Sequence, residues 1–456
     1  MRFDSSRPKV YRLGYADKFD AETRSAAVLL SCTIAFLIPL LLGVYWFAYA
    51  FDTDLATRIL RPAVIGSSLL LALIWTKPAL TWAELRLGAI ISVMCVVLLA
   101  PSLAATDPRR ALEDCLKLAI LCFIALLVCR ALRDKTTAEA FGRSLILTSI
   151  LTALLTVYVY LKYMGWTLPT YESSRVLKSV AIQAGIPLNA VAFACVFSYI
   201  CGMCLVPRSR LLTWGLGPSL FVISSALTGS RAPLGLLAVS GMLLLIFNGL
   251  VSNSLTKRTM AWLSVAVLVV AIAWGVKYLT FKDVSSATEG RWDFWTVAWD
   301  KFTERPLMGY GFDSWRDDLV SRLPGEYKLT AYDAINLAGG YHNEYITLLA
   351  EQGLVGFFPV MALFIFLWRC SWNLAFRSPS TWKNGQWAFF GCLFLLLRGS
   401  IEAPGLFGYG QEPADYLAFI FLAIVVSRFS VQEDYLKFAQ ATLQSEPYRQ
   451  YAAAYA

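Results

Sequence analysis

Apolar residues in this chain arrive in blocks of about 20, the length an α-helix needs to cross the hydrocarbon core of a bilayer. A soluble fold cannot bury them all. Hydrophobic residues make up 57% of the 456 residues and charged residues 16%, with a mean hydropathy of +0.57. The sequence therefore predicts an all-α polytopic membrane protein. Twelve spans are expected, at 25–51, 59–76, 87–105, 112–130, 144–164, 181–206, 211–228, 232–251, 260–279, 344–368, 386–401 and 413–428. The first apolar run is too long for a signal-peptide core and lacks an obvious cleavage site, so it is expected to stay as a signal anchor.

The net charge of +9 does not point to nucleic acid, because the Lys and Arg residues sit in the loops between spans. More than half of the 40 occupy the two terminal tails and alternate loops, including Lys77 and Arg86, Arg130 to Arg143, Arg208 and Arg210, Lys257 and Arg258, Arg369 to Lys383, and Arg428, Lys437 and Arg449. The excess of positive charge marks that side as cytoplasmic and puts both termini there. The opposite, extracytoplasmic side then carries one large loop, 280–343, between the ninth and tenth spans. Loops of that length inside a compact protein are usually functional. One membrane domain over 1–456, with this loop as a structured cap, is the simplest organisation.

Cysteine and histidine usage narrows the chemistry. None of the ten Cys lies in the long loop, so a disulfide staple is not expected. His342 is the only histidine, whereas a catalytic zinc commonly takes two or three. The expectation is no metal and no cofactor.

Three places on the loop side could hold chemistry. Gly290–Pro306 reads as an amphipathic helix with Trp292, Trp295, Trp299 and Phe302 on one stripe. Ser286 and Glu289 form a candidate capping box before it, and Pro306 ends it. Such a helix should lie on the outer leaflet, with Arg291 in its first turn. Arg291 then either snorkels to lipid headgroups or serves a ligand. At the other end of the loop, Asn343 is a natural N-cap for the tenth span, with Glu344 in the first turn. His342 would stand at the positive end of that helix, which favours neutral imidazole, the form a general base requires. A histidine that hydrogen-bonds across the loop is the alternative. Finally, Pro233 suits the first turn of a helix, so Arg231 would stand at its N-terminus, on the side that also holds Arg175 and Lys178. Several cations around one imidazole suit an anionic, phosphate-bearing substrate, or equally the phosphates of lipids.

Taken together, the segments Thr228-Gly229-Ser230-Arg231, Gly290-Arg291-Trp292, Arg305-Pro306-Leu307-Met308-Gly309-Tyr310-Gly311 and His342-Asn343-Glu344-Tyr345, the last running into Leu349-Ala350-Glu351-Gln352-Gly353-Leu354-Val355-Gly356, resemble the O-antigen ligase and O-antigen polymerase superfamily. The resemblance covers about residues 220–360. It implies a metal-independent inverting glycosyltransferase with the second GT-C type of membrane fold. The donor would be an undecaprenyl-diphosphate-linked O-antigen glycan, and for a ligase the acceptor would be a sugar hydroxyl of lipid A-core. Carried onto this chain, Arg231 and Arg291 would hold the diphosphate and His342 would act on the acceptor. Arg175, Lys178, Arg305, Asn343 and Glu344 complete the candidate substrate-binding set. Membrane lipids are the other expected partners, and the expected location is the bacterial inner membrane with the site facing the periplasm. A polymerase would extend the lipid-linked glycan instead. A lipid-linked sugar transporter should show ionisable residues near mid-bilayer and paired broken helices; the sequence puts its charges, Lys117 and Arg398 included, at span ends.

Arg forks in place of a metal ion make the first expectation testable. Transfer by the purified protein should persist in excess EDTA; loss on chelation with recovery on adding Mg²⁺ or Mn²⁺ would contradict it.

Overall fold

The computed structural model describes residues 37–44, 62–63, 66, 80–105, 107–166, 188–206, 219, 223, 227, 231–281, 291–312, 314, 343–377, 384–400 and 413–444. All regular structure among them is helical. The principal helices are α1 (Trp82–Leu103), α2 (Pro108–Ala131), α3 (Lys135–Met164), α4 (Leu188–Met203) and α5 (Arg231–Val251). They continue with α6 (Leu255–Phe281), α7 (Arg291–Glu304), α8 (Glu344–Trp372), α9 (Gly385–Gly399) and α10 (Pro413–Gln444), and a π-helical turn, Asn373–Arg377, prolongs α8. Five stretches, Trp82–Leu103, Lys135–Met164, Pro233–Val251, Glu344–Arg377 and Tyr416–Lys437, are long and apolar enough to cross a bilayer. The protein is thus a multi-pass helical membrane protein. The expected spans 25–51, 59–76 and 211–228 lie largely outside the described residues.

The helix starts are written locally. Thr81 caps α1 in a full capping box, its hydroxyl accepting from Glu84 N–H while the Glu84 carboxylate accepts from Thr81 N–H at 2.8 Å. Asp107 and Asp134 cap α2 and α3, and Pro108 occupies the first turn of α2, where its missing N–H costs nothing.

Packing sorts the turns onto two opposite ends of the bundle. At one end Arg133, in the turn between α2 and α3, reaches Glu84 of α1 (3.7 Å) and Asp434 of α10 (3.1 Å). Thr81 and Ser430 share a hydroxyl contact at 3.0 Å, and Arg428 donates to the Leu132 carbonyl. Asn384, before α9, donates to the Val206 carbonyl after α4. Of the basic residues singled out in the sequence, Arg133 and Arg428 lie here. The core between the ends is apolar and aromatic: Phe193 and Phe197 of α4 stack with Phe394 of α9, and Phe421 of α10 closes the group. Arg398, buried in the last turn of α9, lies over the Phe193 ring at 3.7 Å.

α3 and α4 approach closely at Gly142 and Gly202. A Cβ on Gly202 would lie 2.7 Å from the Gly142 carbonyl oxygen and 2.6 Å from Ile146. Small residues at a crossing let helix backbones pack where no hydrophobic force drives association. Gly202→Val should therefore lower the thermal unfolding temperature in detergent, by a loss of about 1–3 kcal/mol. Gly88→Ala, whose added Cβ meets nothing within 4 Å, should leave it unchanged.

Candidate functional site

The opposite end of the bundle joins the loop helix to the broken start of α8. α8 is not straight: Gly353 adopts φ 59° and ψ −167° inside it. A continuous helix would have the Leu354 and Val355 N–H groups donate to the Ala350 and Glu351 carbonyls. At the break all four of these groups meet the segment after α7 instead. Leu354 N–H donates to Pro306 O (2.8 Å) and Val355 N–H to Leu307 O (3.0 Å). In return Tyr310 N–H donates to Ala350 O (3.2 Å) and Gly311 N–H to Glu351 O (2.7 Å). Two glycines allow the approach. A Cβ on Gly309 (φ 64°) would sit 2.3 Å from Glu351 O, and one on Gly353 2.3 Å from Leu307 O. The same segment touches α1, since a Cβ on Gly311 would meet Ala105 at 2.1 Å.

α7 runs from Arg291 to Glu304, as the sequence predicts, and ends just before Pro306. The aromatic stripe divides: Trp292 and Trp299 are about half exposed, with Trp292 against Trp295 and Trp299 against Phe302. Ala298 and Lys301 form the inward side. Lys301 is fully buried. Its ammonium donates to the Ser314 carbonyl at 2.9 Å and lies over the Tyr310 ring at 4.7 Å. Arg305 stacks on Tyr310 at 4.5 Å while remaining exposed, and the Tyr310 hydroxyl bonds the Glu304 carboxylate.

Asn343 caps α8 as expected, its Oδ1 accepting from Tyr345 and Ile346 N–H. Its Nδ2 donates to Ser400 O at 3.0 Å, and the Tyr345 hydroxyl donates to Leu396 O at 2.8 Å, so the start of α8 is fastened to the end of α9. Glu344 is buried in the first turn, its Oε2 close against Gly399. An acidic group there complements the positive helix end. Arg231 and Arg291 are the first residues of α5 and α7. Arg305, Asn343 and Glu344 thus belong to one assembly of α7, α8 and α9. His342, Arg175 and Lys178, with the Ser286–Glu289 capping box, lie outside the described residues.

Sequence reasoning missed the break at Gly353 and the burial of Lys301. It also put charges only at span ends, whereas Glu351 is buried at the break, and Asp114 is buried in α2 beside Lys117. Among the described residues no group of His, Cys, Asp and Glu could hold a metal ion.

Residues 218–361 match the family model described as O-antigen ligase. That stretch holds Arg231, Arg291, Arg305, His342, Asn343 and Glu344, and leaves out Arg175 and Lys178. An uncharacterised protein of Haemophilus influenzae is 24% identical over 161 residues, which is 32% of this chain and 40% of that protein. The chain thus matches less than half the length of that relative. The resemblance to the O-antigen ligase and polymerase superfamily holds across the segment that forms α5 to the broken part of α8.

The Asn343 contacts have a measurable consequence. Asn343→Ala removes the cap oxygen that accepts both N–H bonds and the bridge to Ser400, and should cost about 1–2 kcal/mol in thermal unfolding in detergent. Asn343→Asp keeps the cap oxygen but loses the donor to Ser400 O, and should recover only part of that loss.

Proposed function

We propose that this protein is an O-antigen ligase, which moves an O-antigen glycan from undecaprenyl diphosphate to a sugar hydroxyl of lipid A-core and so completes lipopolysaccharide. The protein would sit in the inner membrane of a Gram-negative bacterium with both termini cytoplasmic, the basic end of the bundle inward and the joined end of α7 and α8 in the periplasm. The observation that carries the reading is the family match over residues 218–361, the stretch that includes the clasp between loop and span.

The chemistry divides among few residues. Arg291 and Arg231 grip the diphosphate oxygens and offset the negative charge that grows as the bond between anomeric carbon and phosphate oxygen breaks. His342 accepts the proton of the acceptor hydroxyl as its oxygen attacks the anomeric carbon from the opposite face, giving inversion. Undecaprenyl diphosphate leaves with the bonding pair. Arg305, exposed on Tyr310, adds a cation near the donor's anionic head; Arg175 and Lys178 supply further positive charge. Asn343 and Glu344 fix the start of α8, and with it His342. No metal or cofactor is needed in this scheme.

Incubating purified protein with lipid-linked glycan and lipid A-core tests the reaction. Glycan on lipid A is the expected product; lengthened lipid-linked glycan would make the protein a polymerase, and no product at all would reopen transport. Arg291→Ala should abolish transfer and Arg291→Lys restore only part of it, because an ammonium lacks the planar two-pronged grip. His342→Gln should lose turnover while still binding donor, since an amide positions a hydroxyl but takes no proton near neutrality. Near-normal turnover in His342→Gln would remove the general-base role.

A further inference from the structure

We propose that Gly309, Gly353 and Tyr310 are positioning residues, which index the helix carrying Arg291 to the helix that His342 precedes, so that donor and acceptor groups meet in one geometry. The catalytic half of this inference rests on the function proposed above; the mechanical half stands on geometry alone.

Tyr310 is held twice. Its main-chain N–H belongs to α8 through the Ala350 carbonyl. Its ring belongs to the last turn of α7, covered by Lys301 and Arg305 and bonded through its hydroxyl to Glu304. A rotation of α7 about its axis would drag that ring against a main chain pinned to α8. Gly309 and Gly353 govern whether the two backbones can meet at all, because each lies where a Cβ would strike the other strand's carbonyl. The hydrogen bonds across the contact come as two in each direction, which resists sliding as well as separation. At its far end α7 begins with Arg291, about 20 Å from Glu304 by helix rise, so a small tilt at the clasp is amplified there. At the head of α8, Asn343 and Tyr345 fix the first turn to α9. The clasp is therefore the joint that sets how far Arg291 lies from the start of α8.

Spin labels carried by unnatural keto residues at Thr303 on α7 and Phe358 on α8, both exposed, leave the native cysteines unlabelled and report the joint directly. The full-length protein should give one narrow distance. Gly309→Ala and Gly353→Ala should broaden it and cut turnover per folded molecule by roughly 10²-fold, the scale of a misplacement of about 1 Å. Gly391→Ala is the comparator: its Cβ meets the Phe421 ring at 2.6 Å in the core, so it should lose stability while keeping the narrow distance and the turnover. Should neither clasp variant fold, Tyr310→Phe removes the hydroxyl bond to Glu304 without adding an atom at the contact. It should broaden the distance in the same way.

An unchanged distance in the clasp variants overturns the proposal. So does a broadened distance with turnover equal to that of Gly391→Ala. A wild-type protein that holds the narrow distance yet performs no transfer overturns the functional reading and the catalytic role of the clasp with it, and leaves the coupling of the two helices standing.

Discussion

Four backbone hydrogen bonds between the break at Gly353 and the segment after α7 organise this end of the molecule. In an apolar surrounding a freed N–H or carbonyl has no water to turn to, and leaving one unmade costs about 1–3 kcal/mol. A break in a membrane helix is therefore tolerated only where something supplies partners. Here the partners are the backbone of residues 306–311, so the break and the loop conformation depend on each other. From that joint follow the seat of α7 against α8, the burial of Lys301, and the contact of the loop with the end of α1.

The same exchange bears on the choice between transfer and transport. In transporters the groups freed by a broken helix face ions or substrate across a cavity. In this chain the freed groups at Gly353 are taken up by the protein's own loop, which makes the break a joint and not a gate. The charges described are in keeping with this: Arg133 and Arg428 lie at one end, while the clasped end carries Arg305 and buried Glu344.

Much of this was legible in the sequence, because it is local. The five spans seen among the described residues follow from apolar length, the cap at Asn343 from residue type, and α7 from the spacing of its tryptophans ended by Pro306. The break at Gly353 was not legible, since Leu349 to Gly356 keeps a helical apolar pattern and the partners of the break lie some 45 residues earlier. Gly309, Gly311 and Gly353 were visible as a family signature, but a signature does not say that its pieces touch. The burial of Lys301 was not legible for a related reason: its charge suits water, and only the Tyr310 ring and the Ser314 carbonyl, brought in by the fold, make burial tolerable. His342 was singled out by its place before the Asn343 cap and by the family resemblance, and lies outside the described residues.

Amide hydrogen exchange on the detergent-solubilised protein tests the joint most directly. Peptides covering 306–312 and 350–356 should both exchange slowly, and Gly309→Ala should release protection in both together. Rapid exchange across 306–312 in the wild-type protein, or release in one segment with the other still protected, would contradict the clasp.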